Sequence, residues 1–278
     1  MSGILYLCAT PIGNLSDMTF RCVDILKSVD LIAAEDTRNS IKLLNHFDIK
    51  TPMSSYHEHN KVEKAFYLIN QLKSGKNIAL ISDAGMPAIS DPGQVLVNMC
   101  HENDIAVRII PGASAVVCAV ALSGLESGRF CFEAFLPKDK KLRRRILNDL
   151  ANESRNIVIY EAPHHLKSTL LELYNILGDR QLAICRELTK KHEQTVITTL
   201  SSAIEHYNNS EPKGEFVLVI SGKSFDEIDN ENIQDWQQID IADHVKMYED
   251  SGMSRKDAMK AAAKDRGVSK SEIYKALL

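Results

Sequence analysis

The 278-residue chain is 44% hydrophobic and 25% charged, an ordinary globular composition with length enough for two domains. Its net charge of −4 argues against a generic polyanion binder, so local charge must decide whether it contacts nucleic acid. No apolar run approaches the roughly 20 residues that span a bilayer, and MSGILYLCATPIG has no basic region before its apolar stretch, so neither a membrane protein nor a secretory leader is expected.

Short apolar and β-branched runs predict strands at 4–9 (ILYLCA), 78–80, 107–110, 156–160, 182–185, 195–199 and 215–220 (EFVLVI). Helical spacing occupies 19–28, 38–46, 60–74, 93–103 and 113–123. Within 60–74, Val62, Ala65, Phe66, Ile69 and Leu72 mark one buried face. Strand–helix alternation predicts an α/β architecture with a largely parallel sheet. The pattern pauses in LSGLESGRF, which separates a domain at 1–124 from a second at 125–223. Seven acidic residues and no Lys or Arg between 224 and 243 read as a solvated linker, assigned to 224–239. The remainder, 240–278, resembles a helix-turn-helix module. Ser254 with Asp257 and Ser269 with Glu272 have capping-box spacing, while Ala258, Ala261, Ala262, Val268, Ile273 and Leu277 form a small core. Arg266, Lys270 and Lys275 are candidates to meet phosphates. The cysteines, at 8, 22, 100, 118, 131 and 185, contain no C-x-x-C pair and read as reduced thiols of a cytoplasmic protein.

None of the 13 glycines is spaced G-x-G, which removes the dinucleotide fingerprint and the glycine-rich loop of Rossmann-type methyltransferases. Three glycine–proline turns remain, each after a predicted strand: ATPIGN (9–14), SDAGMPAISDPG (82–93) and PGASA (111–115). Loops at the carboxyl ends of strands converge on the ligand crevice of an open α/β sheet. Three together predict a wall of main-chain amides and carbonyls around a flexible, polar ligand.

These turns, with AAEDTR, SYHEHN, YEAPHHL, CRELTKKHE and KGEFVLVI, resemble the tetrapyrrole-methylase superfamily, and within it the small-subunit ribosomal RNA methyltransferase I family. The resemblance runs over 4–222 and into the helical tail. It implies two α/β domains with S-adenosyl-L-methionine in the cleft between them, usually in a homodimer, and methylation of a cytidine ribose 2′-oxygen in the decoding region of small-subunit rRNA. The partner is that RNA or the assembled small ribosomal subunit. Carried over by position, the Pro11 turn faces the cofactor. Gly85, Met86 and Pro87 stand where Gly-Asp-Pro is frequent, so Met86 replaces an acid and Asp83 or backbone takes over its contact. Ala88, Ile89 and Ser90 follow along the ligand, Ser114 and Ala115 match the third loop, and Glu161, Gly214 and Glu215 close over adenine and ribose.

Methyl transfer to a hydroxyl benefits from placement, a proton acceptor and a cation near the developing oxyanion. Glu35 or His57 is the candidate acceptor and Arg38 the candidate cation. His57 and His59 suggest an exposed loop, and no metal is implied. The run KDKKLRRR supplies Lys138, Lys140, Lys141, Arg143, Arg144 and Arg145 for RNA phosphates, joined by Lys190 and Lys191. A competing reading is an enzyme of the same fold acting on a tetrapyrrole or a protein side chain; the arginine run and helical tail speak against it. A non-catalytic nucleic-acid-binding protein would leave the three turns without a purpose.

Overall fold

The computed structural model describes residues 2–278, with residues 231–235 and 237 described by backbone alone. The first half alternates β1 (Leu5–Cys8), α1 (Phe20–Ser28), β2 (Leu31–Ala34), α2 (Thr37–His46), β3 (Met53–Ser55), α3 (Lys61–Lys73), β4 (Ile78–Ile81), α4 (Gly93–Glu102), β5 (Val107–Ile110) and α5 (Ala115–Leu122). Its strands form one sheet in the order β3-β2-β4-β1-β5, every neighbouring pair parallel. Central β4 is buried on both faces. Ile78 and Leu80 pack with Leu68 and Leu72 of α3, while Ala79 and Ile81 meet Cys22 and Leu26 of α1. Two-sided burial explains why IALI is continuously apolar.

Thr19 and Asp36 start α1 and α2 by accepting the backbone N–H of Cys22 and Arg38. In α3 the buried stripe is Ala65, Leu68, Ile69 and Leu72. Val62 and Phe66, expected inside, are 56% and 60% exposed, because Leu68 rather than Phe66 completes the face toward the sheet.

The second half contains β6 (Phe130–Phe135), α6 (Lys140–Asp149), β7 (Asn156–Glu161), α7 (Pro163–Leu177), β8 (Gln181–Arg186), β9 (Gln194–Thr199), α8 (Leu200–Asn208) and β10 (Phe216–Ile220). Its sheet, β6-β7-β10-β8-β9, is mixed, with only β6–β7 parallel among neighbours. The expected parallel character thus holds for the first sheet alone. The crossover through α7 leaves room between β7 and β8, and β10 fills it antiparallel to both. Along β10, Phe216, Leu218 and Ile220 face the α7 side, where Leu166, Leu170 and Leu173 pack. Val217 and Val219 face α5, whose Val116, Ala119 and Val120 seat the first half's last helix on the second sheet.

The acidic stretch is helical. Ser224 and Glu227 form a capping box at the start of α9 (Phe225–Gln238). Then come α10 (Ile241–Asp250), α11 (Arg255–Asp265) and α12 (Lys270–Ala276), packed around Val245, Ala258, Met259, Ala262, Ala263 and Ile273. Ser269 and Glu272 make a full capping box, whereas the Asp257 carboxylate bonds the Ser254 hydroxyl instead of its backbone. Val268 is 38% exposed, outside this core. Arg266 is buried rather than free for phosphates: its Nε donates to His244 Nδ1 at 3.0 Å and its Nη2 to the Ile239 carbonyl. All six cysteines are free thiols.

Candidate functional site

The loops after β1, β4 and β5 interlock at the carboxyl ends of the first sheet's strands. Thr10 N–H donates to the Gly85 carbonyl at 2.9 Å, Gly85 N–H returns to Thr10 O at 3.1 Å, and Thr10 Oγ1 donates to Ser82 O at 3.2 Å. Gly85 has φ +78, and a Cβ there would stand 3.2 Å from Ile12 Cγ2. Glycine therefore meets both the left-handed backbone and the close approach. Facing these loops are the ends of β7 and β8 and the start of β10, and together they enclose a cleft of about 510 Å³. That lies within the roughly 300–1,000 Å³ of small-molecule pockets.

Asp83, Gly85, Met86, Ile89, Ser90, Ser114, Ala115, Glu161 and Glu215 all line the cleft. Pro11, Ala88 and Gly214 do not. Ile12, not Pro11, is the lining residue of the first turn. Ala88 has φ +68, and its Cβ lies 2.7 Å from where a Cβ on Gly93 would stand, so Ala88 packs against the start of α4. Gly214 (φ +87) makes room for Glu187: a Cβ would come within 2.5 Å of Glu187 Cγ. Glu187 in turn accepts the Glu215 N–H at 2.9 Å, which lowers its pKa, and the Lys190 ammonium at 3.0 Å. Lys190 also donates to Glu215 at 2.8 Å, so it is committed to carboxylates, whereas Lys191 is exposed.

Of the three candidate catalytic residues, only Glu35 reaches the cleft. Its Oε2 accepts the Asp83 N–H at 3.4 Å, and Asp83 itself accepts the Asp36 N–H and the Asn39 side chain, each at 3.1 Å. Burial and then the charge of Asp91 push the Glu35 carboxyl above the usual range. Asp91, from the Asp-Pro-Gly turn at 91–93, was not singled out from sequence, yet it lines the same wall and is raised by burial. Arg38 is 88% exposed and paired to Asp36 at 2.9 Å, outside the cleft. His57 also stays outside; its backbone N–H is held by Asn60 at 2.8 Å, and its Nδ1 is buried without a hydrogen-bond partner among the described residues.

On the opposite wall Glu161 is 5% exposed. Its Oε1 accepts the Ala162 N–H at 2.7 Å and its Oε2 accepts Thr169 Oγ1–H at 2.5 Å. Arg143 Nη2 donates to that hydroxyl at 2.7 Å and its Nε to Glu172 at 2.6 Å. A guanidinium only donates, so the single Thr169 proton must point at Glu161, which is thereby fixed as an acceptor. Arg143, grouped by sequence with the RNA-facing run, is largely buried and turned inward. Lys138, Lys140, Lys141, Arg144 and Arg145 are exposed on or beside α6. Two aromatic side chains missed from sequence, Phe135 and Tyr160, complete the wall. Burial pushes the Tyr160 phenol up to about 12, so it remains a proton donor at neutral pH.

The wall thus offers carboxylate acceptors and main-chain groups, an acceptor-rich surface suited to a ligand bearing hydroxyls and positive charge. Among the described residues, no group of three or more His, Cys, Asp or Glu is placed to hold a metal ion, and no helix is long and apolar enough to cross a membrane.

Residues 5–204 match the family described as Tetrapyrrole (Corrin/Porphyrin) Methylases. "Ribosomal RNA small subunit methyltransferase I" of Bacillus subtilis (strain 168) is 48% identical over 274 residues, covering 99% of this chain and 94% of that one. The protein of the same name from Thermotoga maritima is 47% identical over 221 residues, covering 80% of this chain and 99% of that one. Among solved structures, a diphthine synthase aligns with TM-score 0.61 at 14% identity, over 79% of this chain and 90% of that one. A cobalt precorrin-4 methyltransferase aligns with TM-score 0.56 at 18% identity, over 78% and 94%. These two share the fold. Matched by the family model over residues 5–204 and 48% identical to a relative across nearly its whole length, the chain belongs to the tetrapyrrole methylase family and, within it, to the ribosomal RNA small subunit methyltransferase I family of methyltransferases.

Proposed function

We propose that the chain methylates the ribose 2′-hydroxyl of a cytidine in small-subunit ribosomal RNA, using S-adenosyl-L-methionine. The observation that carries this reading is the convergence on one cleft of Glu35, with its raised carboxyl, and the fixed acceptor Glu161. When bound, the cofactor supplies an electrophilic methyl group. Glu161 and Glu215 hold ribose hydroxyls, and the loop carbonyls around Gly85 with Asp83 hold the methionine end. The carboxylates of Asp83 and Asp91 favour a cation beside them. Glu35 accepts the proton of the attacking hydroxyl at its carboxylate, and its raised pKa makes it a stronger base than an ordinary glutamate. Placement in line supplies much of the remaining rate, since oriented groups gain about 7–11 kcal/mol at best. Arg38, outside the cleft beside Asp36, meets the RNA backbone together with the exposed basic residues of α6. A cytoplasmic homodimer acting on the assembled small subunit belongs to the same proposal.

The test is a labelled-cofactor assay with small ribosomal subunits, free rRNA and a tetrapyrrole as acceptors, followed by nuclease digestion and mass spectrometry. Label on a ribose 2′-oxygen of the RNA is expected. Label only on the tetrapyrrole would replace this reading with the competing one.

A further inference from the structure

Phe135 is the last residue of β6, an edge strand paired only with β7. Phe130, Cys131 and Phe132 pair with Asn156, Ile157 and Val158 in order, and then the register slips, so that Phe135 stands opposite Tyr160. Regular alternation would put Phe132 and residue 134 on one face and Phe135 on the other. The slip instead returns Phe135 to the face of Phe132 and Tyr160, the face toward α5 and the cleft. A bulge of this kind re-aims a side chain. It is made with Ala134 at φ +51, a left-handed conformation unfavourable for alanine. Backbone strain next to a cleft is a pointer to function when something is gained by it.

What the strain gains is an open aromatic surface. Phe135 makes an edge-to-face contact with Tyr160 at 5.5 Å, and Tyr160 is braced by Phe132 at 4.9 Å. Even so, Phe135 is 59% exposed. An aromatic ring re-aimed by a strained bulge into the lining of a cleft, and left open there, is placed to meet whatever the cleft binds. Three residues on, the chain enters the exposed Lys138, Lys140 and Lys141 and the basic helix α6. The expected occupant is therefore planar, π-rich and attached to phosphate.

We propose that Phe135 is the stacking platform for the nucleobase of the nucleotide whose ribose is methylated. The inference rests on the RNA reading of the preceding subsection. A ribose inside a folded RNA reaches an enzyme cleft when its nucleotide leaves the stack, and an aromatic side chain replaces the lost base–base contact. Stacking tolerates any base, so Phe135 fixes the position of the nucleotide, not its identity. The second planar group that could use this surface is the cofactor's adenine, and the test separates the two.

Phe135→Ala, →Leu, →Tyr and →Trp are compared with the unaltered protein. Methyl transfer to small ribosomal subunits is measured under kcat/KM conditions, S-adenosylhomocysteine binding by calorimetry, and folding by thermal melting. Phe135→Ala should lower kcat/KM by about 5- to 150-fold, the range for loss of one base–aromatic stack. Its affinity for S-adenosylhomocysteine should be unchanged. Tyr and Trp should restore transfer, and Leu, equally apolar but unable to stack, should not. Rescue by Leu, undiminished transfer in Phe135→Ala, or a parallel fall in S-adenosylhomocysteine affinity would each overturn the proposal. Should Phe135→Ala melt early, the Leu and Trp pair decides alone. Failure of the unaltered protein to methylate the subunits would sink the functional reading instead.

Discussion

Glu35 shares its wall of the cleft with two further carboxylates, Asp83 and Asp91. Burial and the neighbouring charge of Asp91 raise it, and the direction of that shift has a consequence for stability. The unfolded chain releases this proton near the ordinary glutamate value of about 4.3. Between that value and the raised one, the folded state binds more protons. Stability therefore falls as pH rises through the window, and the deficit persists at neutral pH. Glu35→Gln should remove the deficit, raising the melting temperature at pH 7 by roughly 1–3 °C. The same change should lower single-turnover methyl transfer by about 100-fold or more. It should also flatten the rise of wild-type transfer with pH. Scanning calorimetry and rapid-quench kinetics check the pair; a less stable variant with unaltered turnover would remove Glu35 as the base. Much of this site is legible in sequence because glycines and prolines punctuate the strand ends. Gly85, Ser90 and Ser114 lie in the turns so marked, whereas Glu161 was placed by the resemblance alone. Phe135 was not, since its direction depends on a register slip between two strands, and no local pattern encodes a partner's register. Arg143 was misread for a related reason: charge runs report composition, while the bond to Thr169 is a tertiary fact.

At the scale of elements, strands buried on both faces were the easiest to read, and β4 and β10 are continuous apolar runs for that reason. The three-residue edge strand β3 and the four-residue β2, which runs straight into Glu35 and Asp36, carry too little pattern to be seen. In the acidic segment the charges concealed α9, because solvation of a face and helix formation are compatible. Its Trp236 ring stacks on His244 at 4.0 Å and 6°, tying α9 to the C-terminal module. His244 is fully buried, with Arg266 donating to Nδ1, Asp265 Oδ2 3.3 Å from Nε2, and Tyr248 bonded to the same aspartate. Burial first, then Arg266, lowers its pKa, against the opposing pull of Asp265. A histidine depressed in the fold stabilises above its unfolded value, about 6.5, and that stability is lost as pH falls through the folded value. The module should therefore loosen as pH falls below about 6.5. Trp236, the chain's single tryptophan, reports it by a red shift of emission. In His244→Gln the shift in this window should vanish; persistence would assign the loosening to the carboxylates.

Over the whole molecule, two halves with separate sheets are held as one body by contacts that border the cleft. A Cβ on Gly13 would lie 2.5 Å from Lys190 Cγ and 2.9 Å from the Leu188 carbonyl, so the first loop of one half rests directly on the loop after β8 of the other. From the other side α5 seals against β7, β8 and β10. The charge is divided in a similar way: an overall −4, with acids gathered in the cleft wall and bases exposed along α6. Arg143 lies between these regions, its neighbours in sequence facing water and its own guanidinium facing Thr169 and Glu161. Substitutions one residue apart should then fail in different ways. The double variant Arg144→Ala with Arg145→Ala should weaken binding to small-subunit rRNA and reduce the slope of log K against log salt by about 1.4–1.8, one phosphate each. Its S-adenosylhomocysteine affinity should be that of the unaltered protein. Arg143→Ala should leave the salt slope unchanged and weaken S-adenosylhomocysteine by roughly tenfold, because the Thr169 hydroxyl is freed to turn away and the buried Glu161 loses a fixed partner. Thr169→Val, which removes the link while keeping the arginine, should reproduce that loss. Equal effects of Arg143 and Arg144 on the slope would mean that α6 presents all its bases to RNA and that the inward bond is incidental.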